Sequence, residues 1–180
     1  MMRAIPQTAI AALLAACLLA ACGHTPTQAE LTAVDAMIQH TDSMSAEMDR
    51  ADTDALRHME ALFEAERPAL DKRFADTLNP REAEVLGNYH RAMAERLPGL
   101  LAQLAGERVE LDSAAQRLRD LRHDMQQGLL GRAQRTSALD AEKRWNTTLR
   151  QQLDSINART HTLVRDRKAW RAAIDSLLRP

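Results

Sequence analysis

The chain has 180 residues, 24 Lys and Arg against 25 Asp and Glu, 45% apolar residues, 3% aromatic residues and two cysteines. A 27% charged fraction balanced in sign excludes a disordered acidic tail and a uniformly basic nucleic-acid binder, and the length leaves room for one ordinary domain. Few aromatic and β-branched residues beside abundant Ala, Leu, Arg, Glu, Gln and Met favour helix and give strands little to pack with.

In chain order, the first expected element is an export leader over residues 1 to 21. Arg3 supplies the positive start, and an apolar run from Ala9 to Ala21 stops at Cys22. That run is too short to span a bilayer stably, and small residues precede the cysteine. Leu19-Ala20-Ala21-Cys22 resembles the lipobox of bacterial lipoproteins. The resemblance implies diacylglycerol transfer to the Cys22 thiol, cleavage before it and acylation of the new amino terminus, with palmitate-like chains as a firm membrane anchor. Leu14-Ala15-Ala16-Cys17 is a second match, but its use would leave apolar residues 18 to 21 in the mature chain, whereas the polar run 23 to 28 follows Cys22. With Cys22 acylated and Cys17 discarded, no thiol remains for a disulfide, a metal or a nucleophile. Gly23 after the cysteine resembles lipoprotein cargo sent to the outer membrane, which places the expected chain in the cell envelope, facing the periplasm.

Residues 22 to 28 read as a tether and 29 to 180 as an all-α domain. Two places divide it. Leu78-Asn79-Pro80-Arg81-Glu82 holds a cap, a proline for the first helical position and a glutamate three residues after the cap. Gly128-Leu129-Leu130-Gly131 offers a left-handed helix stop at Gly128, with Leu129 able to fold back onto the preceding turn. Helices of about 29 to 77, 81 to 127 and 132 to 178 result, each about 70 Å long at 1.5 Å per residue. Equal lengths joined by short loops predict an elongated antiparallel three-helix bundle, coiled-coil-like, running up, down and up.

The first helix keeps a seam through Val34, Met37, Thr41, Met44, Met48, Ala51, Ala55, His58 and Leu62 before shifting to Phe63, Leu70, Phe74 and Leu78. It is expected to be continuous, with Asp49 to Asp54 as the place for any break. The second carries Leu86, His90, Met93, Leu97, Leu100, Leu104, Glu107, Leu111, Ala114, Leu118, Leu121 and Met125 at alternating steps of three and four. The third repeats the rhythm from Leu149 through Leu153, Ile156, Thr160, Leu163, Arg167, Trp170 and Ile174 to Leu177. Pro68 and Pro98 fall inside helices and predict kinks, a true stop at Pro98-Gly99 being the competing reading. Glu107 and Arg167 stand in apolar seams, as a buried polar switch, a kink, a solvated gap beside Gly106 or a register device.

Charge is segregated along the chain. Residues 29 to 78 carry 12 acidic and 5 basic side chains, a net of −7; residues 129 to 180 carry 5 and 11, a net of +6. The first and third helices are therefore expected to sit side by side and to neutralise each other. The functional reading of the same feature offers Arg150, Arg159, Arg165, Arg167, Lys168 and Arg171, together with Arg132, Arg135, Lys143 and Arg144, to an anionic surface or an envelope protein. Nucleic acid is not an expected partner of an exported chain; a homo-oligomer stays open.

Chemistry-bearing patterns are sparse. Met37, His40, Met44 and Met48 share one helical face and form a thioether and imidazole set suited to Cu(I), though methionines fill seams equally well. Asp120-Leu121-Arg122-His123 is a lone partial match to a di-iron pattern, and no zinc, nucleophile-elbow or phosphate-loop motif occurs. With six glycines in the chain, no loop on which to build a pocket is expected, and no catalytic residue or cofactor is assigned. Leu78-Asn79-Pro80-Arg81-Glu82 loosely resembles the Leu-Thr-x-x-Gln motif of small helical periplasmic chaperones and metal-stress sensors, departing at Asn79 and Glu82; no site is carried over. The expectation is a non-enzymatic spacer or protein-interaction module, with a metal-responsive or chaperone-like factor as the alternative.

Overall fold

A computed structural model describes residues 25–51 and 53–179; the leader, Cys17 and Cys22 lie outside the described residues. Among the described residues every regular element is helical: α1 (Gln28–Asp49), α2 (Thr53–Phe74), α3 (Pro80–Arg91), a π turn (Ala92–Arg96), α4 (Leu97–Gln126) and α5 (Arg132–Leu177). None of these helices is long and apolar enough to cross a membrane. Packing divides the chain into two compact units, one of Ala114–Asn146 with the described residues up to Asp42, the other of Ser43–Ser113 with the described residues from Thr147 onward.

The starts and stops follow from local chemistry. At the head of α3, Asn79 Oδ1 accepts from the Glu82 amide at 2.9 Å while Glu82 Oε2 accepts from the Asn79 amide at 3.1 Å, the reciprocal box expected there. The same device opens α1: the Glu30 amide donates to Thr27 Oγ1 at 3.2 Å and the Thr27 amide to Glu30 Oε2 at 2.7 Å. Helix α4 ends where Gly128 takes φ 67°, so that the Leu129 amide reaches Asp124 O at 2.9 Å and the Gly128 amide reaches Met125 O at 3.1 Å. The fold-back differs from expectation in one detail: Leu129 stays exposed, and Leu130 packs on the core instead.

Two expectations are corrected. The first helix is not continuous from 29 to 77. Helix α1 stops at Asp49, and α2 starts at Thr53, whose amide donates to Ala51 O at 2.7 Å. The interruption resets the register, so the buried stripe of α2 is Leu56, Met59, Phe63 and Leu70, while Ala55, His58 and Phe74 face solvent. At Pro98 the chain neither stops nor simply kinks. Proline has no N–H for the carbonyl of Ala94 and its ring crowds that carbonyl. The ladder widens just before it into a π turn, in which the Leu97 amide donates to Ala92 O five residues back. Tyr89, Met93 and Leu97, four residues apart along this stretch, are all buried. Tyr89, not His90, therefore holds the seam position.

In the first unit the core gathers Val34 with Leu118, Leu121 and Met125, bordered by Leu31, Met37, Ile38 and Leu139. In the second the buried side chains include Met44, Met48, Phe63, Leu86, Leu104, Leu111, Leu153 and Ile174. The predicted α4 and α5 stripes are the ones buried, apart from half-buried Thr160, Arg167, Trp170 and Leu177.

Candidate functional site: charged ladders, a polar layer and an apolar groove

Helical spacing places the acidic residues of the first segment against cations of the third. In the first unit Glu30 pairs with Arg135 at 3.3 Å; Arg135 is 3% exposed and also donates to Leu130 O at 2.9 Å. It is therefore used within the chain, as the expected neutralisation has it, and not as a surface cation of the alternative reading. In the second unit Glu47 takes Arg150 at 2.5 Å and the Asn157 amide at 2.7 Å, and Glu66 pairs with Arg171 at 2.6 Å. Arg150 and Arg171 also hold Asp154 and Asp175 one turn along α5. Hydrogen bonding to Arg150 holds the Glu47 carboxyl below its ordinary range. The Glu30 carboxyl is held down by the Thr27 amide, with Arg135 adding to it.

A second set of pairs was not read from the sequence. Asp35, Asp42 and Asp49 recur every seven residues on α1. They pair with Arg122 at 2.5 Å and Arg119 at 3.1 Å in the first unit, and with Arg108 in the second. The heptad spacing of the aspartates was the available signal.

The remaining sequence candidates separate. Arg165 pairs with its neighbour Asp166 at 3.1 Å. Arg159 donates to Ser155 O at 3.3 Å, and neither it nor exposed Lys168 has a carboxylate within ion-pair distance among the described residues. Arg167 is half-buried, with its Nε buried and unpartnered. Of the methionine and histidine set, Met44 and Met48 are buried in the second unit; in the first, Met37 is half-buried and the His40 Nδ1 is hydrogen-bonded to Asn146 Oδ1. Among the described residues no group of three or more His, Cys, Asp or Glu side chains is placed to hold a metal ion.

Two buried polar features stand inside the cores. In the first unit Asn146 donates to Thr41 Oγ1 at 2.7 Å, and Thr41 donates to Met37 O at 2.9 Å. In the second Glu107 is 6% exposed, and its Oε1 is buried without a partner; burial first, and the nearby Glu110 charge second, push its carboxyl above the usual range. Aromatic side chains collect in the second unit, where Phe63 meets Tyr89 edge-on at 6.0 Å and His90 at 5.7 Å, and the Tyr89 hydroxyl donates to Glu66 at 3.0 Å.

The second unit also holds a groove of about 600 Å³, which the absence of loops had argued against. One wall is Glu95, Arg96, Gly99, Leu100 and Gln103; the other is Ser155, Ala158, Arg159, Thr162 and Leu163. Helix walls rather than loops make it: the π turn and Gly99 on one side face small residues on the other. No family model, curated protein or solved structure matches the chain.

Proposed function

We propose that the chain is a lipid-anchored helical protein of the cell envelope that works without catalysis, as a spacer or protein-interaction module held in the outer membrane by acyl chains on Cys22. The lipobox-like residues Leu19 to Cys22 support the address. The role rests on one observation: three carboxylates of α1 and α2 are paired with cations of α5, Glu30 with Arg135, Glu47 with Arg150 and Glu66 with Arg171. Groups used in this way fix which helices lie together and in what register.

The path proposed is up, down and up, as an antiparallel three-segment bundle. Within the first unit α1 pairs with α4 in opposite order, Asp35 with Arg122 and Asp42 with Arg119. Pairs to α5 ascend together, Glu30 with Arg135 in the first unit and Glu47 with Arg150, then Glu66 with Arg171, in the second. Among the described residues the exposed cations of α5 without an ion pair are Arg132 in the first unit and Arg159 and Lys168 in the second, so a partner that meets the second unit's stretch of this helix meets Arg159 and Lys168.

Metabolic labelling with palmitate tests the address. Label is expected on the wild-type chain in the membrane fraction and is lost with Cys22→Ser; label retained in that variant, or a wild-type chain recovered unacylated, overturns the reading. Photo-crosslinking from position 168 in membrane fractions then tests the role, with a discrete protein adduct as the expected product.

A further inference from the structure

We propose that the groove of the second unit binds a single-chain amphiphilic carboxylate, of the long-chain fatty acid class. Its carboxylate would sit on Arg96 and Arg159 and its chain would lie over Leu100 and Leu163.

Three observations converge on this wall. The first is chemical. The floor is apolar, from buried Leu100 and Leu163, while the rim carries two guanidinium groups with no carboxylate within ion-pair distance among the described residues. Elsewhere on α5, Arg150 and Arg171 are each engaged by two carboxylates. Glu95 is the one acidic side chain of the lining, so its formal charge is positive. Guanidinium forks match a carboxylate in geometry as well as charge.

The second is the local sequence. Pro98, Gly99 and the π turn each cost helix stability, and they occur together at this one wall. A Cβ at Gly99 would find nothing within 4 Å, so packing does not require glycine there; a larger residue would occupy the groove. Insertions of a π turn recur at functional sites.

The third is size. About 600 Å³ lies inside the roughly 300–1,000 Å³ range of small-molecule sites. Ten lining residues fall well short of the roughly 20–30 a side that a stable protein interface uses. A slender amphiphile fits those bounds better than a docked helix.

The test titrates the purified, detergent-free chain with a fluorescent polyene fatty acid and with the alcohol of the same chain. Saturable binding of the acid to one site is expected. Gly99→Leu and Ala158→Leu fill the groove from opposite walls, and each is expected to weaken binding at least about tenfold, with helicity by circular dichroism retained. Ala102→Leu, on an exposed position outside the lining, should change nothing. Arg96→Gln with Arg159→Gln should weaken the acid about tenfold and leave the alcohol as it was. Absence of saturable binding, equal binding by both filled variants, or equal loss of acid and alcohol in the arginine variant overturns the proposal. So does binding to anionic lipid vesicles with none to the free acid, which would assign the cations to a membrane surface. The site is built within one unit and does not depend on acylation of Cys22, so either reading can fail alone.

Discussion

Asn146 Nδ2 donates to Thr41 Oγ1 across 2.7 Å, in a layer where Thr41 is fully buried and Asn146 is 7% exposed. The hydroxyl in turn donates a hydrogen bond to Met37 O, and the Asn146 carbonyl oxygen is hydrogen-bonded to His40. A buried amide with both ends engaged stabilises one relative placement of two helices, because any slip leaves it unpaired in apolar surroundings. Asn146→Ala is expected to cost about 2 kcal/mol in urea unfolding. The double variant Asn146→Leu with Thr41→Val should recover most of that loss, since both polar partners leave together. A double variant as unstable as the single one would show that the layer contributes by packing alone.

The ladder pairs should differ in strength according to exposure. Glu47 and Arg150 are each about one-third exposed, and Asn157 shares the carboxylate. Asp49 and Arg108 are both at least half exposed. Double-mutant cycles are expected to return a coupling of about 1 kcal/mol for the first pair and under about 0.3 kcal/mol for the second. Raising the ionic strength should reduce both.

Glu107 sets a pH dependence of definite sign. Its carboxyl titrates higher in the folded chain than in the unfolded one. The folded state therefore holds the proton longer, and stability from this group is lost as pH rises above the ordinary glutamate value through the raised one. Glu30 and Glu47 act oppositely: their lowered values contribute stability that is lost as pH falls below the ordinary value. Glu107→Gln is expected to be more stable than wild type at neutral pH, with the gain vanishing in acid. Thermal melts between pH 3 and about 8 measure it. A gain independent of pH would place the cause elsewhere.

The helix start at Asn79 makes a simpler prediction. Asn79→Ala removes the side-chain acceptor of the Glu82 amide and should cost about 1 kcal/mol. Asn79→Asp, which keeps an acceptor and adds charge favourable to a helix start, should be neutral or slightly stabilising. Gly99→Ala has open space for its methyl group and should raise stability by about 0.5–1 kcal/mol. Equilibrium denaturation of each variant checks the order.

Sequence periodicity determined that the chain is helical and which stripes of α4 and α5 are buried, because 3.5-residue spacing of apolar side chains has one physical outlet. The cap at Asn79 and the left-handed stop at Gly128 were equally legible, since each depends only on residues within one turn. The complementary charge of the first and third segments was visible as a sum. Which cation meets which carboxylate was not, because partners such as Glu47 and Arg150 are about a hundred residues apart and are chosen by packing.

Three further features waited on the tertiary structure. The register reset between Asp49 and Thr53 depends on whether a few polar residues leave the helix, a choice with small local energy that packing of Leu56, Met59 and Phe63 decides. The π turn before Pro98 is one of several ways a helix can accommodate proline, and burial of Tyr89, Met93 and Leu97 together selects it. The groove is a property of two walls at once: Gly99 and Ala158 read as ordinary small residues on their own helices, and only juxtaposition makes a space between them.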